Sequence, residues 1–136
     1  MASSRHRALN GMRILAVEDQ EDLREMLIAV LEQQGAEVIG CASALKAFEV
    51  LTSGTSIDAA LFDITMPGED GLALVCRWRL WESCRSPGHL PVIALTALVA
   101  SDMQQRCAAA GFDHYLSKPF CPDVLFATLQ RLAPMH

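Results

Sequence analysis

The chain has 136 residues, of which 51% are hydrophobic and 20% charged, and its formal net charge at pH 7 is -5. This length suggests one domain that can bury a core without disulfides. The acidic balance and scattered Lys and Arg residues argue against a nucleic-acid interface, which needs a basic stripe. Charges interrupt every stretch approaching the roughly 18 apolar residues of a membrane span, and no signal-peptide core follows the basic start. We therefore expect a soluble cytoplasmic protein.

The cysteines and histidines give no metal-binding or redox pattern. The five Cys residues contain no C-x-x-C pair, and most lie in apolar periodic segments, so we expect buried or inert thiols. The four His residues share no ligand spacing, which argues against a zinc site.

The first half of the chain alternates strand and helix patterns. Residues 13–17 predict a short strand, and the helix after them ends at Gly35. Residues 36–40 predict a second strand, and Ser43 caps a second helix that ends near Gly54. The apolar faces predicted for the two helices are Leu23, Met26, Leu27, Val30 and Leu31, and then Leu45, Phe48 and Leu51.

The second half repeats the pattern. Residues 58–63 predict a buried strand that delivers Asp63 to a loop containing Pro and Gly. Residues 91–95 and 113–116 predict two more strands, and Ser101 caps the helix between them, which ends at Gly111. The other two helices have predicted apolar faces of Leu74, Val75, Trp78 and Trp81, and of Val124, Leu125, Thr128, Leu129 and Leu132.

Five strand–helix repeats without a hairpin signal predict an α/β fold with a parallel sheet covered by helices on both faces. Residues 1–11 are interpreted as a polar N-terminal tail and residues 12–136 as a single domain.

Polar side chains cluster at the carboxyl ends of the predicted strands: Glu18 and Asp19 follow the first, Asp63 ends the third, Thr96 follows the fourth and Lys118 follows the fifth. In a parallel sheet these ends share one edge, where ligands bind. Three carboxylates in one pocket repel one another and favour a bound cation, and their oxygens suit Mg²⁺. With a Lys and a hydroxyl, they indicate a phosphoryl-transfer site in which Asp63 is the nucleophile.

Each position also has a simpler interpretation. An Asp at a strand end is often only a helix cap, the Glu18–Asp19 pair could be a solvated turn, and Thr96 could be an ordinary strand residue. Their joint arrival at one sheet edge favours the functional interpretation.

The chain resembles the receiver domain of two-component response regulators from about residue 12 to 132. The resemblance rests on five segments in the family's order and spacing: Ile14–Asp19, Asp63–Pro67, Asp70–Gly71, Leu95–Ala97 and Tyr115–Phe120. It implies a five-stranded, flavodoxin-like doubly wound (βα)5 fold with strand order 2-1-3-4-5.

The resemblance also implies residue roles. Asp63 would be the phospho-acceptor, and Mg²⁺ (or Mn²⁺) would be held by Glu18, Asp19, Asp63 and the backbone carbonyl of Thr65. Lys118 would pair with Asp63 and later with the phosphoryl oxygens. The phosphoryl donor would be a sensor histidine kinase or a histidine phosphotransfer domain. The domain would catalyse only its own phosphorylation and dephosphorylation.

The implied switch consists of Thr96, whose hydroxyl would move onto the phosphoryl group, and Tyr115, which would turn into the vacated space. The face formed by the fourth helix, fifth strand and fifth helix would bind a downstream protein. Tyr115 could equally be a half-buried strand aromatic. The resemblance further implies a cis Lys118–Pro119 bond.

Some features leave the family pattern open. The connection between Trp81 and Leu90 is slightly long, and the apolar Leu98 is hypothesised to shield the acyl phosphate from water. No effector domain follows the last helix, which suggests either a stand-alone receiver or, as we favour, one from a longer hybrid kinase. Two other functions are kept as alternatives. An aspartyl phosphatase would usually have a second Asp where Thr65 stands, and a pseudo-receiver would lack the complete site.

Overall fold

The computed structural model describes residues 8–64, 71–85, 88–97 and 102–133. In these ranges five strands alternate with five helices. The strands are β1 (Arg13–Val17), β2 (Glu37–Cys41), β3 (Ala59–Asp63), β4 (Val92–Thr96) and β5 (His114–Ser117). The helices are α1 (Glu21–Gln33), α2 (Ala44–Leu51), α3 (Gly71–Ser83), α4 (Met103–Ala110) and α5 (Pro122–Leu132).

The strands form one parallel sheet in the order β2-β1-β3-β4-β5, which confirms the predicted doubly wound fold. Every residue of β3 and β4 is buried, because each of these strands has a strand on either side and helices above and below. The apolar runs in the sequence are therefore the signature of a parallel sheet covered on both faces.

Side-chain alternation divides the core into two layers. Leu15 and Val17 point to the face covered by α2, α3 and α4, whereas Ile14 and Ala16 point to the face covered by α1 and α5. On the first face Phe62 meets Phe112 edge to face, with ring centroids 5.9 Å apart. Because both faces of the sheet are packed, the carboxyl ends of the strands are held in defined positions.

The predicted strand bounds differ from the observed ones by one residue at several ends. The second, fourth and fifth strands each begin and end one residue later than predicted, and β3 begins at Ala59 rather than residue 58. Pro91 precedes β4 because it has no N–H to donate, although its carbonyl accepts the N–H of Ala60 at 2.9 Å. Such shifts leave the order of the strand ends unchanged.

Several apolar residues predicted to face the core are exposed. Met26, Leu45 and Val124 are 58%, 61% and 48% exposed, and Leu23 is 36% exposed, so these four predictions are wrong. In α2 the small residues Ala44 and Ala47 pack on the sheet instead, which turns Leu45 outward. Spacing alone did not distinguish the centre of an apolar face from its rim.

The helix caps agree with the sequence in part. Ser43 caps α2 as predicted, since its hydroxyl accepts the N–H of Lys46 at 3.2 Å. Asp102 occupies the N-cap position of α4 without a side-chain cap bond, and the predicted cap Ser101 lies outside the described residues.

Three smaller points complete the fold. Cys41 and Cys107 are buried, whereas Cys76, Cys84 and Cys121 are exposed, so burial holds for two of the five thiols. Residues 8–11, assigned by sequence to the polar tail, form a turn in which Leu9 is fully buried. None of the described helices has the length and apolar character that a membrane crossing requires.

Candidate functional site

The carboxyl ends of the strands bring three acidic side chains together. One oxygen from each of Glu18, Asp19 and Asp63 lies within 4.8 Å of the other two. Glu18 and Asp63 are each only 3% exposed. Buried carboxylates at this spacing repel one another strongly, so this cluster requires positive charge nearby.

Asp63 is held by the centre of the sheet. It is the last residue of the buried strand β3, and the next residue, Ile64, donates its N–H to the carbonyl of Leu95 at 3.1 Å. The start of α3 packs directly against this point. A Cβ on Gly71 would lie 2.9 Å from the carbonyl oxygen of Asp63 and from the Cα of Ile64, so only glycine fits here.

Glu18 and Asp19 are fixed through their backbone. The N–H of Glu18 donates to the carbonyl of Cys41 at 3.0 Å, and Glu18 Oε2 accepts the N–H of Gln20 at 3.2 Å. Arg24 Nη1 donates to the carbonyl of Glu18 at 2.9 Å and lies 3.5 Å from that of Asp19.

Sequence reasoning did not single out Arg24. The available signal was its position five residues after Asp19, in the first turn of α1, where a long side chain can reach back to the strand end.

Lys118 bridges the two buried carboxylates. Its Nζ lies 3.0 Å from Glu18 Oε1 and 3.3 Å from Asp63 Oδ2. Its backbone N–H donates to the carbonyl of Thr96 at 2.6 Å, which joins β5 to the end of β4. The Lys118–Pro119 bond is cis, as predicted.

Burial and charge shift the pKa values at this site. Burial raises the pKa of Glu18, and the nearby Asp63 raises it further, although the hydrogen bond from Lys118 opposes both effects. Burial would lower the pKa of Lys118, but the hydrogen bond to Glu18 and the charges of Asp63 and Glu18 outweigh it, so the pKa of Lys118 is raised. Lys118 is therefore a firmly charged ammonium that offsets one of three carboxylates.

The two predicted switch residues lie on one face of the sheet. Thr96 is fully buried and pairs with Ser117 across β4 and β5, while Tyr115 pairs with Ala94. Because side chains two apart share a face, Thr96 and Tyr115 are diagonal neighbours. Two further predicted residues, Thr65 and Leu98, lie outside the described residues.

The donor set fits a hard divalent cation. Three carboxylate oxygens converge, two of the side chains are buried, and the neighbouring ammonium leaves excess negative charge. Mg²⁺ prefers such oxygens together with retained waters.

Comparison with known proteins decides the family. Residues 14–130 match the family model described as the response regulator receiver domain. The chain belongs to this family. It is 35% identical over 121 residues to the transcriptional regulatory protein PhoP of Escherichia coli O157:H7, covering 89% of this chain and 52% of that protein. It is 31% identical over 140 residues to Histidine kinase 3 of Arabidopsis thaliana, covering 90% of this receiver domain and 14% of the kinase.

Solved receiver domains share the fold closely. The receiver domain of the sensor histidine kinase PA1611 from Pseudomonas aeruginosa PAO1 is 32% identical, with a TM-score of 0.80 and coverage of 92% of this chain and 99% of that chain. Its structure has a magnesium ion coordinated in the active site cleft. The Vibrio cholerae chemotaxis protein CheY4 is 29% identical, with a TM-score of 0.80 and coverage of 89% and 98%.

These matches identify a two-component receiver domain, and they do not favour the aspartyl phosphatase alternative. Receiver domains accept phosphoryl groups from sensor histidine kinases. The chain spans about half the length of PhoP and smaller fractions of the matched kinases.

Proposed function

We propose that Asp63 accepts a phosphoryl group from a phosphohistidine of a sensor histidine kinase or a histidine phosphotransfer domain, in the cytoplasm. The observation that carries this proposal is the convergence of Glu18, Asp19 and Asp63 within 4.8 Å, with Lys118 bridging two of them. The relatives, which include kinase receiver domains, support the same donor class.

Glu18, Asp19 and Asp63 would hold Mg²⁺, together with the backbone carbonyl of Thr65. Mn²⁺ suits the same oxygen donors. When bound, the cation supplies the positive charge that the carboxylates lack and neutralises phosphoryl oxygens. The magnesium ion in the PA1611 receiver domain supports this assignment.

Asp63 acts as the nucleophile. A carboxylate oxygen forms a bond to phosphorus while the bond from phosphorus to the donor imidazole nitrogen breaks, and that nitrogen keeps the electron pair. The product is an acyl phosphate on Asp63. Before transfer, the Lys118 ammonium pairs with Asp63 Oδ2 at 3.3 Å. After transfer it pairs with a phosphoryl oxygen, so that the ammonium stays beside the negative charge of the new group. The domain thereby acts only on its own Asp.

Thr96 and Tyr115 convert the new charge into a change of surface. Thr96 ends β4 beside Lys118, so its hydroxyl can donate to a phosphoryl oxygen after a small movement. Tyr115 lines a cavity of about 180 Å³ between α4 and β5, together with Gln104 and Phe112. This space allows the ring to change position. The α4-β5-α5 face then presents a different surface to a downstream protein.

The test compares two Asp residues at opposite ends of the same strand. Asp63→Asn should abolish phosphorylation by a small phosphodonor such as acetyl phosphate with Mg²⁺, measured by intact-protein mass. Asp58→Asn is the matched control, because Asp58 precedes β3 at the far edge of the sheet, where it accepts the N–H of Arg13 at 2.8 Å. The Asp58→Asn variant should be phosphorylated to the same extent as the wild type.

Beryllofluoride, which mimics the phosphoryl group, provides a second readout. It should shift the amide NMR signals of Thr96 and Tyr115 in the wild type and leave them unchanged in Asp63→Asn. A wild type that responds to neither the phosphodonor nor beryllofluoride would instead support the pseudo-receiver alternative and refute the proposal.

A further inference from the structure

Arg24 connects α1 to the backbone that carries two of the acidic side chains. Its Nη1 donates to the carbonyl of Glu18 at 2.9 Å and approaches that of Asp19 at 3.5 Å. The first turn of α1 anchors it, because its own N–H donates to the carbonyl of Gln20 at 2.9 Å. The guanidinium therefore contacts the backbone carbonyls of Glu18 and Asp19.

The sequence of β2 leaves room for this arrangement. A Cβ on Gly40 would lie 3.5 Å from Cγ and Cδ of Arg24 and 2.6 Å from Cδ1 of Ile28. The Arg24 stem thus passes over the glycine on its way from α1 to the end of β1. A methyl group at this position would require Cδ1 of Ile28 to shift and would touch the Arg24 stem at ordinary contact distance, so the glycine leaves the stem unobstructed.

The hydrogen bond fixes the direction in which the acidic side chains leave the backbone. An arginine bound to a carbonyl restricts rotation of the adjoining peptide plane, and here that plane joins Glu18 to Asp19. Three mutually repelling carboxylates would otherwise relax apart when no cation is present. Groups that orient metal ligands in this way typically change metal affinity by about 10- to 100-fold when removed.

We propose that Arg24 is a positioning residue for the metal site. It holds the Glu18–Asp19 peptide so that both carboxylates face Asp63 before the cation arrives. The inference rests on the proposed function, since it concerns the same acidic cluster, but it makes a separate prediction about Mg²⁺ binding without any phosphodonor.

The test measures Mg²⁺ affinity by NMR titration of the Glu18, Asp19 and Gln20 amides. Arg24→Met keeps the apolar stem and removes the donor, and it should weaken Mg²⁺ binding about 10-fold. Arg24→Lys keeps a charged donor on a shorter stem and should recover part of the loss. In the metal-free protein, the Gln20 amide should also shift in Arg24→Met, because its acceptor Glu18 is no longer held.

Arg131→Met is the matched control for charge. Arg131 is exposed in the last turn of α5, which runs away from the site, so its loss should leave Mg²⁺ affinity unchanged. Equal affinity in Arg24→Met and the wild type would overturn the inference, and so would an equal loss in Arg131→Met. A wild type that binds no Mg²⁺ and accepts no phosphoryl group would refute the proposed function itself.

Discussion

The two edges of the sheet both carry clustered charges, but they satisfy them differently. At the amino edge, Arg79 pairs with Glu82 at 2.9 Å and with Asp113 at 2.8 Å. Both carboxylates also accept backbone N–H groups, from Leu90 at 2.6 Å and from Val92 at 2.8 Å. At the carboxyl edge, Lys118 pairs with Glu18 at 3.0 Å and with Asp63 at 3.3 Å, and these two carboxylates are buried and clustered with that of Asp19.

The difference separates a structural charge network from a functional one. Hydrogen bonds at the amino edge contribute to folding, because Glu82 and Asp113 each accept both from Arg79 and from a backbone N–H. The carboxyl edge keeps an excess of negative charge in a buried place, which costs folding free energy unless a cation binds. An excess of negative charge in a buried cluster marks a ligand site more specifically than any single acidic residue.

Adding Mg²⁺ should produce the largest change in stability, and only through the carboxyl edge. At about 100 times its dissociation constant, a ligand that binds only the folded state raises the free energy of unfolding by about 2.7 kcal/mol. Urea unfolding with and without MgCl₂, at matched ionic strength, measures this. The gain should persist in Asp58→Asn and fall sharply in Asp19→Asn, so an equal gain in both variants would indicate nonspecific salt stabilisation.

Removing Asp113 should disrupt the ion-pair network at the amino edge and leave the acidic cluster at the carboxyl edge intact. Asp113→Ala removes one of the acceptors of Arg79 and the acceptor of His89 and of the N–H of Val92, and should lower the free energy of unfolding by about 2 kcal/mol. Urea unfolding measures this loss. Mg²⁺ affinity should not change in the folded variant, and a parallel loss of Mg²⁺ binding would show that the two edges are not independent.

Neutralising Glu18 should change the free energy of unfolding in the opposite direction, towards a more stable metal-free fold. Because burial raises the pKa of Glu18, the fold favours the uncharged form, and Glu18→Gln should increase the metal-free free energy of unfolding. The amide oxygen can still accept from Lys118. The same variant should bind Mg²⁺ more weakly, which a calorimetric titration would show. A loss of stability without metal would contradict this expectation, because it would mean that the ionised Glu18 stabilises the metal-free fold.

The sequence predicted the carboxyl edge better than the amino edge. Asp63 and Lys118 follow apolar strands, and parallel topology brings strand ends together, so their meeting could be predicted from order alone. Arg79 lies inside α3, and its partners Glu82 and Asp113 become neighbours only through the rotation of that helix on the sheet. The rotation of α1 and α2 on the sheet also explains why Met26 and Leu45 are exposed.

Contacts to the backbone were the other part that sequence reasoning missed. Arg24 donates to carbonyl groups, which every residue possesses, so no partner residue marks the interaction. The close approach of Gly71 to Asp63 was not predicted either, because the sequence shows a glycine at the start of a helix but not the backbone that lies beside it. The general rule is that side-chain clusters at strand ends are predictable, whereas side-chain bonds to the backbone require coordinates.

The smallest effect is a pH dependence of opposite sign at the two edges. Burial, with a contribution from Arg131, lowers the pKa of His114 at the start of β5 below the usual 6.5. The unfolded chain then binds a proton more readily, so this contribution to stability is complete above about pH 6.5 and is lost as the pH falls towards the folded pKa. Glu18 acts in reverse, because its raised pKa makes protonation favour the fold.

Comparing the wild type with His114→Gln isolates the amino-edge contribution, since Glu18 is present in both. Urea unfolding across mildly acidic pH should show the wild type losing stability relative to the variant as the pH decreases. If the two curves run parallel, protonation of His114 does not differ between the folded and unfolded states. The pH dependence would then come from the carboxyl edge and from groups common to both proteins.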